Sequence, residues 1–274
     1  MVPWRSLPAL PMLALTAIWS TATAIEIEGV QALEDTRHHL IASEATGTRY
    51  HVLVGLPDGY ADSDEAYPTL YILDGGELYP LFASYYRYLN FAEEVPDMIL
   101  VAISYGTDDF EHGNDRSHDF TAPTTEREHW GGAGDFQDFI ADELMPMIET
   151  RYRSRHDRRI VFGQSLGGQF VLYTAQTRPN LFWGHIASNP ALHRNLDFYL
   201  ELHGAPDPRA GRSRLFVGSG SDDDARFRRP ALRWIEHWSR IDTRPWELRA
   251  VTLDGHSHFS APPAAFRQGL IWLF

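Results

Sequence analysis

The chain has no cysteine. That removes disulfides, thiolate zinc sites and a cysteine nucleophile from consideration. Positive charge is scarce too: 24 Lys and Arg stand against 37 Asp and Glu, for a formal net charge of −13. So acidic a balance favours solubility and disfavours nucleic acid or an anionic membrane as the main partner. Repeats, low-complexity tracts and linker-like stretches are missing from residues 25–274. So is any apolar run there long enough to cross a bilayer. What is present is ordinary for a globular chain: 274 residues, 43% of them hydrophobic, with 15 Phe, 12 Tyr and 8 Trp as bulky core and pocket material. A chain of this size buries most of its unfolded surface without staples.

The one long apolar stretch is N-terminal. Arg5 is the only charge before Glu26, and the run Leu7 to Trp19, interrupted by Pro8 and Pro11, follows it. Ala22-Thr23-Ala24 then offers small residues at the two positions a signal peptidase inspects. The expectation is a secretory leader over residues 1–24, a mature chain starting at Ile25, one catalytic domain over 25–274 and a periplasmic or secreted location, with no stable membrane span after cleavage.

Beyond the leader, strand and helix patterns alternate. Residues 50–57 alternate and are β-branched, and Asp58-Gly59-Tyr60 turns the chain. Residues 69–73 and 98–103 are continuous apolar runs, as suits strands buried on both faces of a parallel sheet. Shorter strands are expected at 159–162, 183–187 and 215–217, and an alternating one at 246–253. Helical spacing runs over 134–151, with Pro146 as a kink or restart, and over 166–177, 227–240 and 261–274. Pro262 and Pro263 fall in a first turn, where proline is tolerated. This order predicts an α/β fold with a mostly parallel central sheet flanked by helices. The polar segment 107–132 is long for a loop and reads as one wall of a site. Basic residues between Arg151 and Arg159 follow a helix end and read as surface. Residues 85–91, rich in Tyr and Phe, fit half-buried helix packing better than an aromatic pocket.

The chemistry centres on Gly163-Gln164-Ser165-Leu166-Gly167. A strand enters this Gly-x-Ser-x-Gly and a helix leaves it, which is the setting of a nucleophile elbow. The tight turn demands residues without bulk at its flanks, and Gly168 lets the helix approach the sheet. Ser165 needs a base to take its proton. In an elbow of this kind the base follows the last strand, which makes His258 the candidate and His256, in the same turn, its rival. The acid should follow the strand at 215–217, where Asp222, Asp223 and Asp224 stand in a row. Asp222, nearest the expected strand end, is the choice among them. An oxyanion hole needs two backbone N–H groups: Leu166, after the nucleophile, and Gly76, in the turn after Asp74. No third ligand with suitable spacing joins the two histidines, so neither a metal nor another cofactor is expected.

On these residues the sequence resembles the bacterial putative-esterase family of the α/β-hydrolase superfamily, which includes siderophore esterases related to enterobactin esterase. The resemblance covers most of residues 45–274. It includes residues 71–76, 116–123 and 142–149, the elbow 163–168, Ser188-Asn189-Pro190 and the ending His258-Phe259-Ser260 with its following helix. The family's His-x-Ser pattern falls on His258. At Gln164 this chain departs from the family, where His is common. The resemblance implies hydrolysis of carboxylic esters, siderophore-type esters among them, by a Ser–His pair, in some members with a weakly defined acid, and no metal. The partner expected is then a small-molecule ester. An acyltransferase using the same Ser–His site and a catalytically silent binding protein of the same fold are the alternatives. Intact Ser165, His258, Gly75 and Gly76 argue against the silent protein.

Overall fold

The computed structural model describes residues 23–24, 30–125, 127–207 and 211–274. Only Thr23 and Ala24 of the expected leader are among them; the rest of it, and Ile25, lie outside the described residues. The elements in chain order are β1 (Thr23–Ala24), β2 (Thr36–Ala42), β3 (Arg49–Gly55), β4 (Tyr67–Ile72), α1 (Gly75–Phe91), β5 (Ile99–Ser104) and α2 (Arg116–Asp119). Then come α3 (Ala133–Asp138), α4 (Met145–Arg151), β6 (Ser154–Gln164), α5 (Leu166–Thr177), β7 (Gly184–Ser188) and α6 (Leu196–Tyr199). The chain closes with β8 (Ser213–Gly220), α7 (Ala225–Ser239), β9 (Trp246–Leu253) and α8 (Pro262–Leu273).

The strands form one sheet in the order β1-β2-β3-β5-β4-β6-β7-β8-β9. β5, β4, β6, β7, β8 and β9 run parallel, while β1, β2 and β3 are antiparallel additions at one side. The continuous apolar runs are explained by packing on both faces. In β4, Leu70 and Ile72 pack on one side against Phe82, Leu89, Phe266 and Leu270 from α1 and α8. Tyr71 and Leu73 point the other way, toward Phe136, Phe170, Leu172 and Trp234 from α3, α5 and α7. Successive side chains leave a strand on opposite faces, so a strand with helices on both sides must be apolar throughout. Phe82 and Phe266 stack at 4.2 Å and tie α1 to α8 across the first face. A mostly parallel sheet so covered, with a serine at the strand-to-helix turn after its central strand, is the α/β-hydrolase fold.

Three expectations are refined. The pattern at 134–151 forms three helical pieces, because Phe139–Leu144 is a π-turn between α3 and α4. Pro146 follows it and has no N–H to donate to the preceding turn, so the wider turn accommodates the missing bond. The basic stretch after Arg151 enters β6, which starts at Ser154 rather than 159. Residues 85–91 belong to α1: Tyr86 and Leu89 face the core, while Tyr88 and Phe91 are exposed.

The topology also fixes where a site can form. From β4 the chain moves to β5 on one side, then crosses to β6 on the other. The loops leaving β4 and β6 therefore part in opposite directions and open a crevice at the carboxyl edge of the sheet, where ligands of wound sheets bind.

Candidate active site

Every candidate site residue follows the carboxyl end of a parallel strand. Asp74–Gly76 leave β4, Ser165 leaves β6, Asn189 leaves β7, Asp223 leaves β8 and His258 leaves β9. Ser165 has φ 59° and ψ −114°, a strained backbone that lifts its side chain out of the turn. The turn is tight enough that a Cβ on Gly163 would run into the carbonyl of Gly167. The Ser165 N–H donates to the Ser188 carbonyl at 3.0 Å, and the Ser165 carbonyl accepts from Ala191 at 3.0 Å. The elbow is thus bolted to the end of β7 from both sides.

The Ser165 hydroxyl lies 2.9 Å from His258 Nε2. On the far side of the ring, Nδ1 lies 3.0 and 3.1 Å from the two carboxylate oxygens of Asp223. A carboxylate only accepts, so the ring proton belongs on Nδ1 and Nε2 is left to accept from the serine. The Asp223 side chain is 1% exposed and His258 is 7% exposed, so this line of contacts is shielded from water.

The choice of Asp222 is corrected here. β8 continues to Gly220, pairing Ser219 and Gly220 with Thr252 and Leu253 of β9, three residues past the expected end. Each aspartate of the row then has a separate task. Asp222 is exposed and accepts from the Ser221 hydroxyl at 2.8 Å. Asp223 turns inward to His258. Asp224 caps α7, accepting from the Arg226 N–H at 2.7 Å. His256, the rival base, has its Nδ1 at 2.9 Å from the Ser260 carbonyl, and it is His258 that meets Ser165.

Two residues whose roles the sequence reasoning missed hold His258 in place. Gln164 donates to the His258 carbonyl at 2.7 Å. Asn189, at φ 40°, donates to the Ser257 and His258 carbonyls at 3.3 Å each and accepts from the Gly220 N–H at 2.7 Å. One side chain therefore joins the ends of β7 and β8 to the loop after β9. The nearest signal was Ser188-Asn189-Pro190, an unusual tripeptide after a strand, but its partners lie about 30 and 70 residues along the chain.

Leu166 is the first residue of α5, and Gly75 and Gly76 are the first two of α1. N–H groups in a first turn have no intrahelical acceptor and lie at the positive end of the helix dipole. A Cβ on Gly75 would come within 2.9 Å of the β5 backbone, and one on Gly76 would come within 2.9 Å of Ser104 Oγ, so this helix start lies flush against its neighbour. Asp74, at φ 55°, is held by a bidentate pair with Arg116 at 2.7 and 2.9 Å. Arg116 comes from α2, within the long segment 107–132. That segment is anchored by buried Asp119, which accepts from the Tyr50 and Tyr105 hydroxyls at 2.6 and 2.9 Å. Burial pushes the Asp119 carboxyl up. The segment thus reaches the site through Arg116, behind the turn that carries Gly76. Among the described residues no cluster of three or more His, Asp or Glu is arranged to hold a metal ion.

The sequence model of the family described as "Putative esterase" matches residues 43–259. The chain belongs to this esterase family. Among family relatives, the ferri-bacillibactin esterase BesA of Bacillus subtilis is 30% identical over 195 residues, covering 66% of this chain and 65% of its own. The solved structure of BES protein from Bacillus cereus superposes with a TM-score of 0.73 at 24% identity, over 87% of this chain and 94% of that one. The enterobactin hydrolase IroE in complex with DFP gives a TM-score of 0.67 at 22% identity, over 86% and 95%. This chain spans between about half and two thirds of the length of the first curated relatives it matches: 65%, 53% and 54%.

Proposed function

We propose that this member of the esterase family is a serine carboxylic ester hydrolase that works through an acyl-enzyme. The observation that carries the reading is the continuous line of contacts Ser165 Oγ, His258 Nε2, His258 Nδ1, Asp223 carboxylate, at 2.9 and 3.0 Å. In the first half-reaction Ser165 Oγ bonds to the ester carbonyl carbon while its proton passes to His258 Nε2. The tetrahedral oxyanion faces the N–H groups of Leu166 and Gly76, where preorganised donors stabilise developing charge. The C–O bond to the alcohol half then breaks, and His258 returns the proton to the departing oxygen. In the second half water bonds to the acyl carbon while its proton passes to His258 Nε2; the bond from that carbon to Ser165 Oγ then breaks, His258 returns the proton to Oγ, and the acid departs. Asp223 fixes the ring tautomer and stabilises the imidazolium in both halves.

The names of the relatives, a ferri-bacillibactin esterase and an enterobactin hydrolase, support a siderophore-type ester as substrate. The DFP complex of the latter supports a nucleophilic serine, since DFP is a serine-hydrolase inhibitor. A fluorophosphonate probe tests the mechanism directly. Wild-type protein turns over the ester, then gains the mass of one phosphonyl group and loses that turnover, whereas Ser165→Ala neither takes the label nor turns over the ester. Labelling of Ser165→Ala, or turnover by it near the wild-type rate, refutes the reading.

Export belongs to the same reading. Its support is the basic, apolar and small-residue order of the first 24 positions. Among the described residues no helix is long and apolar enough to cross a membrane. N-terminal sequencing of protein recovered outside the cytoplasm should begin at Ile25, and an intact Met1 contradicts it.

A further inference from the structure

The hydrolase reading leaves the alcohol half of the ester undefined, and the surface beside His258 bears on it. A groove of about 570 Å³ opens there, lined by His193, Arg194, Ala225, Arg226, Arg229 and Pro230. Ring contacts through Phe227 join it to the site. Phe227 stacks on His258 with ring centroids 4.4 Å apart, and His193 meets the same Phe227 ring edge-on at 5.0 Å.

The charge of this groove runs against that of the protein. The chain carries net −13, yet three of the six lining residues are arginines. Arg226 and Arg229 are exposed and one turn apart on α7. Like charges at that spacing repel and weakly destabilise a helix. Among the described residues no ion pair ties either of them to a carboxylate. The acids nearest in sequence are occupied elsewhere: Asp222 by the Ser221 hydroxyl, Asp223 by His258 and Asp224 by the Arg226 N–H. The Arg226 guanidinium lies over the Phe227 ring at 4.5 Å, so part of the cationic lining is packed against the very ring that covers His258. The chain contains no lysine, so all its permanently charged cationic side chains are arginines, planar forks suited to bidentate carboxylates.

The proposed chemistry tells which half of the substrate this groove meets. His258 hands its proton to the departing oxygen, so the alcohol half must lie on the His258 side of Ser165. Phe227 and the groove behind it are on that side. We propose that the groove is a subsite for a carboxylate carried by the alcohol half of the ester, held by Arg226 and Arg229, with Arg194 in the same lining. The inference rests on the hydrolase reading for the orientation of the ester.

The test compares butyrate esters of meta-hydroxybenzoate and meta-hydroxybenzamide, which differ in charge but hardly in shape. In Arg226→Gln/Arg229→Gln the ratio of kcat/KM for the anionic over the neutral ester should fall about tenfold, from roughly threefold for each exposed charge pair. The change should lie in KM, as expected for uniform binding. Raising salt from ~0.05 to ~0.5 M should erode the wild-type ratio and leave that of the double variant nearly constant. Phenyl hemisuccinate, with its carboxylate on the acyl half, should show no dependence on the two arginines. An unchanged ratio, or a loss confined to the hemisuccinate, overturns the proposal. Turnover of the neutral ester by wild type, and its absence in Ser165→Ala, report on the hydrolase reading alone. If wild type turns over neither ester, the affinity of Ser165→Ala for the anionic ester, with and without the two arginines, still decides the groove.

Discussion

Replacing Asp223 by alanine removes a carboxylate whose side chain is 1% exposed and whose two oxygens lie 3.0 and 3.1 Å from His258 Nδ1. In the ground state the ring is neutral and the loss is mainly one of orientation. In the transition state the ring carries the serine proton, and the carboxylate then faces an imidazolium. With charge centres about 4 Å apart and an effective dielectric of about 20, that attraction is worth about 4 kcal/mol. Divided by about 1.4 kcal/mol per decade, it predicts a loss in kcat of about 10³-fold. Asp223→Asn should be no better, because an amide N–H aimed at Nδ1 drives the ring proton to Nε2, where it blocks acceptance from Ser165. Asp222→Ala, at an exposed carboxylate that touches only Ser221, should stay within about twofold of wild type. Steady-state kinetics on one ester, with circular dichroism to confirm folding, reads all three variants. A dead Asp222→Ala beside an active Asp223→Ala would refute the reasoning, and so would two active variants.

Asn189→Ala should lower kcat about tenfold and stability by about 1–3 kcal/mol, since it strands the buried Gly220 N–H and leaves the His258 carbonyl with Gln164 as its remaining side-chain donor; kinetics and denaturant unfolding of the variant check both. Gly163→Ala drives a Cβ into the Gly167 carbonyl and to 2.9 Å from the Gly168 nitrogen, so it should cost about 3 kcal/mol or leave the protein insoluble, against a mild effect for the open turn at Gly47 replaced by Asn. Burial first, with nearby cations for His39, pushes the imidazoles of His39 and His185 down from 6.5 to about 4. Between those limits the unfolded chain binds more protons than the folded one, so stability falls as pH is lowered from about 6.5 to about 4, by roughly 3 kcal/mol for the fully buried His185 and by less for His39, whose shift is partly screened. Urea unfolding at several pH values checks the slope, and a flat profile through that window contradicts it.

How far the sequence reached depends on how local each signal was. The elbow was legible because its evidence is contiguous: an apolar strand, a Gly-x-Ser-x-Gly turn and a helix within residues 159–177. His258 was legible for the same reason, placed between the alternating β9 and the proline-led start of α8. The parallel strands announced themselves as continuous apolar runs because both of their faces are covered. β2 did not: Thr36–Ala42 reads Thr-Arg-His-His-Leu-Ile-Ala, neither alternating nor apolar, and it owes its conformation to pairing with β3. The bond from Asn189 to Gly220 was equally out of reach, since nothing in either segment names the other.

The acid shows where the boundary lies. Composition and order were enough to say that one of three consecutive aspartates should face the base. Which one depends on the direction each side chain leaves the backbone, and neighbouring residues near a strand end point to opposite sides. That direction is set by where β8 stops, and β8 stops where its pairing with β9 stops, at Gly220 and Leu253. The sequence by itself determined the order of the elements, the elbow and the kind of chemistry, because short-range pattern carries all of these. Only the tertiary structure decided that Asp223 meets His258, that Gln164 and Asn189 hold it there and that arginines collect beside it, because each depends on hydrogen bonds or packing between segments far apart in the chain.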